Sequence, residues 1–346
     1  MPWEPPATAT SDRRARIGQW VSFALAAILV ALLAYLAYVG FVGSGQLADA
    51  PGHSAACGTP ADLGLAYEAI NYEIENDEEL AAYPDHAACP SQGAPAEDAV
   101  EASDGVRIAG WYVPATSDIG PEGPTVVLLH GWGSNKSNML DLVELLAPSY
   151  NVVAIDLRRH GQSSAEQPTT QGVTEQRDVV AVLDWLDATK RPGRVALLGV
   201  SLGGATALAL TTHDPRVAAL ILDSTHPTLQ GAVQARIEEA GYPLSLPASW
   251  GVLMGGLLRT GTDMTSVDPD RAIRRVGDVP VLILVGGEDT SIGPDPGQRL
   301  LAAAEAAGVD ATLEVCPSAG HAGLVDACPD DYRSWVLGFL DSALGS

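Results

Sequence analysis

The stretch Val195–Ala205, Val-Ala-Leu-Leu-Gly-Val-Ser-Leu-Gly-Gly-Ala, decides how the rest of the chain is read. Val195 to Leu198 is a short, wholly apolar run, the signature of a strand buried on both faces. Ala205 to Leu210 is an alanine- and leucine-rich run with high helix propensity. Between them, Gly199-x-Ser201-x-Gly203 is the nucleophile-elbow pattern. Such a turn holds its serine in a strained backbone conformation. The flanking glycines have no Cβ to collide with the neighbouring strand and helix. The hydroxyl is left above the sheet, near the positive end of the following helix.

Outward from that turn, buried strands alternate with helices. Thr125–Leu129, Asn151–Ile155, Val217–Leu222, Val279–Val285 and Ala311–Val315 read as strands; Ser137–Leu146, Val173–Leu186, Pro296–Ala307 and Asp331–Leu344 read as helices. This pattern predicts an α/β class with a mostly parallel central sheet and helices on both faces. Right-handed crossovers bring the C-terminal ends of those strands to one rim. On the N-terminal side, Tyr67–Ile74 could be the first strand, and Asp104-Gly105 is a hairpin-turn signal before a strand Val106–Val113. The rhythm breaks between Asp223 and Val279. Leu229–Ala240 and Leu246–Leu258 are helix candidates there, and Asp268-Pro269-Asp270 is a helix start, which reads as a helical cap inserted over the rim. His226, Trp250, Leu253, Met254 and Leu257 are its candidate substrate-pocket residues; the apolar ones could equally serve only to pack the cap on the core.

A serine hydroxyl needs a base, and the base needs an orienting acid. Both are expected at the ends of later strands. Gly286-Gly287-Glu288-Asp289 follows one strand, and Pro317-Ser318-Ala319-Gly320-His321 follows the next. Ser201, Asp289 and His321 are therefore the candidate catalytic set, with Glu288 and Asp223 as lesser alternatives for the acid. The backbone N–H groups of Leu202 and Trp132 are the candidate oxyanion donors. The remaining histidines have duller roles: His130 ordering a turn, His160 hydrogen-bonded in a loop, His53, His86 and His213 on the surface.

These pieces resemble an α/β-hydrolase-fold serine hydrolase. The matching residues are Asp104-Gly105 with Ala109-Gly110-Trp111, Leu128-Leu129-His130-Gly131-Trp132-Gly133, Asp156-Leu157-Arg158-Arg159-His160-Gly161-Gln162-Ser163, Gly199-Val200-Ser201-Leu202-Gly203-Gly204, Gly287-Glu288-Asp289 and Gly320-His321. The resemblance covers roughly residues 62–345. It implies hydrolysis of esters, thioesters or amides without a cofactor or metal, in the manner of esterases, lipases and acyl-aminopeptidases. An ester-cleaving carboxylesterase or lipase is the leading expectation; an amide-cleaving peptidase and a catalytically silent binding module are the alternatives. Arg159 stands where family members often carry glycine.

Residues 20–42 carry no charge and are mostly Ala, Leu and Val. At about 1.5 Å per residue they cover the roughly 30 Å hydrocarbon core of a bilayer. Arg13, Arg14 and Arg16 precede them, so the positive-inside rule puts the N-terminus in the cytoplasm and the remainder outside. Ala48-x-Ala50 offers the alternative of a cleaved signal and a secreted product, although Pro51 would follow the cut. The chain then divides into a cytoplasmic tail (1–19), a transmembrane helix (20–42), a tether (43–61), a first part of the core (62–225, with an acidic excursion at 75–99), the cap (226–271) and a second part of the core (272–346). Cys57, Cys89, Cys316 and Cys328 all follow the apolar segment, as export to an oxidising compartment would allow. Four cysteines allow three pairings; proximity favours Cys57–Cys89 and Cys316–Cys328. The second bond would bracket His321 and hold the base in place. A net charge of −24 disfavours nucleic acid as a partner. The expected partners are an acyl ester or peptide-like small molecule and, through residues 20–42, the membrane.

Overall fold

The computed structural model describes residues 9–49, 56–70, 100–293 and 295–345, with side chains from Arg16 onward. Helix α1 covers Ala9–Asp49. The strands are β1 (Glu68–Ile70), β2 (Val100–Glu101), β3 (Arg107–Ile108), β4 (Gly110–Val113), β5 (Thr125–Leu129), β6 (Asn151–Ile155), β7 (Val195–Val200), β8 (Val217–Asp223), β9 (Val281–Gly286) and β10 (Ala311–Cys316). After α1 the helices are α2 (Leu140–Leu146), α3 (Glu175–Thr189), α4 (Leu202–Thr211), α5 (Leu229–Glu239), α6 (Ser245–Thr260), α7 (Pro269–Ala272), α8 (Pro296–Ala307), α9 (Leu324–Ala327) and α10 (Pro329–Leu340).

Eight strands form one sheet in the order β1-β4-β6-β5-β7-β8-β9-β10. β4 pairs antiparallel with both β1 and β6; every pair from β6 to β10 is parallel. Side chains along a strand alternate between faces, so each apolar run feeds two cores. Val127, Leu129, Leu197, Leu220 and Ile283 pack with Val182, Leu186, Leu208 and Leu300 of α3, α4 and α8. Val126, Leu128, Leu198, Ile221 and Leu284 pack on the other face with Leu142, Leu146, Tyr332 and Val336 of α2 and α10. Burial on both faces is why these strands read as unbroken hydrophobic runs. The chain has the α/β-hydrolase fold, a mostly parallel sheet sandwiched between helices.

Several elements depart from expectation. The strand expected over Val106–Val113 breaks at Ala109 into β3, which forms a small hairpin with β2 around Gly105 (φ 83°), and β4, which joins the main sheet. Among the described residues the first strand covers Glu68–Ile70, one residue later than the expected start at Tyr67; residues 71–74 of its expected range and the whole acidic excursion with Cys89 lie outside the described residues. The N-terminal helix does not stop at residue 42. It continues through Asp49, so residues 43–49 of the expected tether are helical. The reason is packing: α1 lies along α6 with small residues facing each other. A Cβ on Gly40 would sit 2.8 Å from the Gly251 carbonyl oxygen, and one on Gly255 would sit 2.7 Å from Ser44 Oγ. Val39, Ala48, Val233, Val252 and Leu253 then make a third core among α1, α5 and α6.

Candidate active site

The turn between β7 and α4 puts Ser201 at φ 53°, ψ −110°, a conformation non-glycine residues rarely adopt. Its neighbours hold it there. A Cβ on Gly199 would fall 2.3 Å from the Gly203 carbonyl carbon, and one on Gly203 would fall 2.1 Å from Leu129 O, so only glycine lets α4 start this close to β7 and β5. The Ser201 N–H donates to Asp223 O at 2.8 Å.

Loops after β9 and β10 supply two more side chains. His321 Nε2 lies 3.1 Å from Ser201 Oγ, and His321 Nδ1 lies 2.7 Å from Asp289 Oδ2. The Asp289 carboxylate is shielded from solvent, and its other oxygen accepts the Ser291 N–H at 2.9 Å. Glu288, next to it, points outward. Asp223, the other alternative acid, does not hydrogen-bond to His321. Its carboxylate accepts the hydroxyls of Ser224 and Tyr332, both at 2.9 Å, and burial raises its pKa to about 6. Ser224 Oγ in turn accepts the Ala322 N–H at 3.0 Å. Asp223 thus braces the histidine loop from below. The Cys316–Cys328 disulfide closes the same loop, with Cys316 fully buried. Cys57 is also disulfide-bonded, and the expected pairing with Cys89 lies outside the described residues.

The loop carrying Trp132 is built on two buried imidazoles. His130 accepts the Leu157 N–H at Nε2 (3.0 Å), which leaves Nδ1 to donate to Gly131 O (2.7 Å). His160 accepts the Gly133 N–H at Nε2 (3.1 Å), and its Nδ1 donates to Arg158 O (2.9 Å). Both must be neutral to do so, and burial depresses the pKa of His130 to about 3. Among the described residues, neither the Trp132 N–H nor the Leu202 N–H donates to a protein acceptor. Leu202 opens α4, where the first N–H groups have no intrahelical partner. Ser201, His321, Trp132 and Leu202 line one cavity of about 390 Å³.

The residues 126–335 match the α/β hydrolase family. This chain belongs to the α/β hydrolase family. The hydrolase is 33% identical over 227 residues to an uncharacterized protein of Mycobacterium tuberculosis, Rv2307c, spanning 64% of this chain and 70% of the relative. Among solved structures, the Pyrococcus furiosus esterase Pf2001 matches with a TM-score of 0.63 at 21% identity, covering 85% of this chain and all of that one. A bacterial membrane phospholipase A matches at 0.55 and 18% identity, covering 96% of this chain and 100% of that one. At such identities the structural likeness concerns the fold.

The cavity of this hydrolase is not walled as the sequence suggests. His226 does line it: it is buried, its Nε2 has no partner among the described residues, and burial beside His321 lowers its pKa to about 4. The other four expected pocket residues do not. Trp250 and Met254 are more than half exposed on the outer face of α6, Leu253 is buried in the third core, and Leu257 lies off the cavity. The reason is that α6 turns its inner face to α1 and α5. The cavity wall comes instead from Leu229, Val233 and Ile237 of α5 and from Tyr38, Val39 and Val42 of α1. The contribution of α1 went unread in the sequence; the spacing of Gly40 and Ser44 against that of Gly251 and Gly255 was its only signal.

The body of this hydrolase also caps the end of α1. Thr169 N–H donates to Ala48 O (3.0 Å), Gln171 Nε2 to Leu47 O (3.1 Å) and Arg159 Nε to Asp49 O (3.3 Å). Arg159 and Gln171 both have positive φ, 61° and 58°. Arg159 therefore keeps the left-handed backbone that suits a glycine, and its guanidinium reaches α1, pairing with Asp49 at 3.2 Å. No group of three or more His, Cys, Asp or Glu among the described residues is arranged to hold a metal ion.

Proposed function

We propose that this hydrolase cleaves carboxylic esters through Ser201, His321 and Asp289, tethered to the outer face of a membrane by α1. Ser201 Oγ attacks the acyl carbon while His321 Nε2 takes its proton. The developing oxyanion accepts the N–H groups of Leu202 and Trp132. Collapse expels the alcohol, protonated by His321, and leaves an acyl-enzyme. Water, deprotonated by the same imidazole, then releases the acid. Asp289 orients the imidazole and stabilises its cation. The observation that most supports this reading is the hydrogen-bonded line from Asp289 Oδ2 through His321 to Ser201 Oγ. The aliphatic lining from α5 and α1 suits an acyl chain better than a charged peptide terminus. Arg13, Arg14 and Arg16 before the apolar segment, and disulfides after it, favour a cytoplasmic N-terminus and an exported body, while the length of the apolar run over 20–42 and Pro51 after the possible cleavage site favour a retained anchor.

A fluorophosphonate probe is expected to label Ser201 alone. A panel of p-nitrophenyl esters set against aminoacyl anilides is expected to show turnover of the esters. Preferred turnover of the anilides would replace the ester reading by a peptidase, and failure of the probe to label Ser201 would leave a binding module.

A further inference from the structure

One face of α6 has no partner among the described residues. Leu246, Trp250, Met254 and Leu258 recur every four residues, and all are at least half exposed, Leu258 by 80%. That spacing puts them in one row along the helix. The loop before α6 adds Tyr242 and Leu244, and α1 adds Tyr38 and Phe41, all at least half exposed. Together they form a contiguous apolar surface, larger than the single exposed hydrophobics that need no explanation.

What covers it is set by its neighbour. α1 carries a 34-residue span, Arg16–Asp49, long and apolar enough to cross a bilayer. α6 runs beside α1 in the same direction: Gly251 packs on Leu36 and Gly40, Gly255 on Gly40 and Ser44, and Arg259 donates to Phe41 O. At the start of this pair, Tyr35 Oη donates to Pro243 O at 2.6 Å. The start of the row on α6 is therefore continuous with the lipid-facing side of α1. Tyr35, Tyr38, Tyr242 and Trp250 gather where the two helices meet, the residue types that favour the boundary between acyl chains and water. At about 60 Å, the 41-residue α1 is longer than any hydrocarbon core, so its last turns stand beyond the bilayer inside the catalytic body.

The cavity ends at the same level. It runs from Ser201 and His321 past Val39, Val42 and Val233 to Tyr38 and Tyr242, which border the apolar surface. We infer that the start of α6, with the loop before it, dips into the outer leaflet beside α1 and that the cavity draws its substrate from the bilayer: an acyl ester lipid whose headgroup carries no net negative charge. The charge condition follows from the −24 of the chain, which an anionic leaflet repels. This substrate class rests on the ester-hydrolase reading above; the position of α6 does not.

The test uses the full chain in phosphatidylcholine vesicles. The emission lost on Trp250→Phe isolates Trp250 from the other tryptophans. Brominated acyl chains are expected to quench it, and aqueous acrylamide to leave it largely unaffected. Quenching by acrylamide instead would place the row in water. Protection from both would mean that a second copy of the chain covers it. Either result overturns the proposal. In the second arm, Leu244→Gln with Leu246→Gln is expected to lower hydrolysis of an ester lipid embedded in the vesicles at least fivefold. Turnover of soluble p-nitrophenyl butyrate is expected to stay within twofold, since neither side chain lines the cavity. Lipid hydrolysis that survives the double substitution overturns delivery from the bilayer. A wild-type protein whose Trp250 is quenched by brominated lipid, but which cleaves neither ester, would sink the ester-hydrolase reading and the substrate class with it, leaving the start of α6 in the leaflet.

Discussion

The two sides of the cavity are built by different means. On one side, Ser201, Asp289 and His321 sit on turns at the ends of the parallel strands β7, β9 and β10, held by neighbouring backbone, hydrogen bonds and a disulfide. On the other side, Tyr38, Val39 and Val42 arrive on a helix more than 150 residues earlier in the chain, held by the fit of glycine against glycine. In the proposed reaction the first side performs the chemistry and tolerates almost no displacement. The second side shapes a wall and tolerates variation in side chain, but not in the size of the residues at the helix contact. Loss of the first should abolish turnover; loss of the second should change which substrates are turned over.

The largest effect should come from the chemical side. Ser201→Ala should cost at least about 10³-fold in kcat/KM for any ester, with the thermal unfolding midpoint unchanged, because only the oxyanion donors and binding remain. Activity that survived would move the chemistry elsewhere. The wall side should respond in a graded way. Gly40→Leu must push α1 off the Gly251 backbone. Losing contact with about two methylenes of an acyl chain is worth roughly 1.6 kcal/mol, or about tenfold. The loss should appear for a p-nitrophenyl octanoate and be nearly absent for the acetate; equal losses on both would show that α1 supports the catalytic rim as well.

Two smaller effects probe how the chemical side is held. Replacing Cys316 and Cys328 by serine should cost about 2–3 kcal/mol, seen as faster thermal inactivation, together with reduced turnover if the bond positions His321. Unchanged turnover with faster inactivation would assign the bond to stability alone. The last effect is a pH dependence, read in stability and not in turnover. His130 holds its proton only below about 3 in the folded chain, against an ordinary 6.5. The unfolded state therefore binds the extra proton between those values. Stability should rise with pH across that window and level off above it. His226, lowered to about 4, acts in the same direction, while Asp223, raised to about 6 from 3.8, opposes both between those two values. His130→Gln should flatten the rise in a urea titration repeated at several pH values; an unaltered slope would show that His130 does not contribute to it.

The strands were legible because burial on both faces leaves an unbroken apolar run, as in Thr125–Leu129 or Val195–Leu198. Helix α8 was legible from Pro296 to Ala307 because a proline opens it and Gly308 closes it. Asp289 was separable from Glu288 only by the geometry of one turn. Trp250 and Met254 were misread because an apolar helix face facing solvent or lipid has the same composition as one facing a pocket.

What the amino-acid order determined by itself is local or periodic: the alternation of strand and helix, the sharp turn at Ser201, the candidate acid and base after the later strands, and an apolar N-terminal segment long enough to span a bilayer. Only the tertiary structure decided what forms the wall opposite the serine, because contact between α1 and α6 depends on small residues some two hundred positions apart, and absence of a side chain has no periodicity to announce its partner. It likewise decided why Arg159 replaces a glycine: the side chain caps a helix end that lies far away in the chain and close in space.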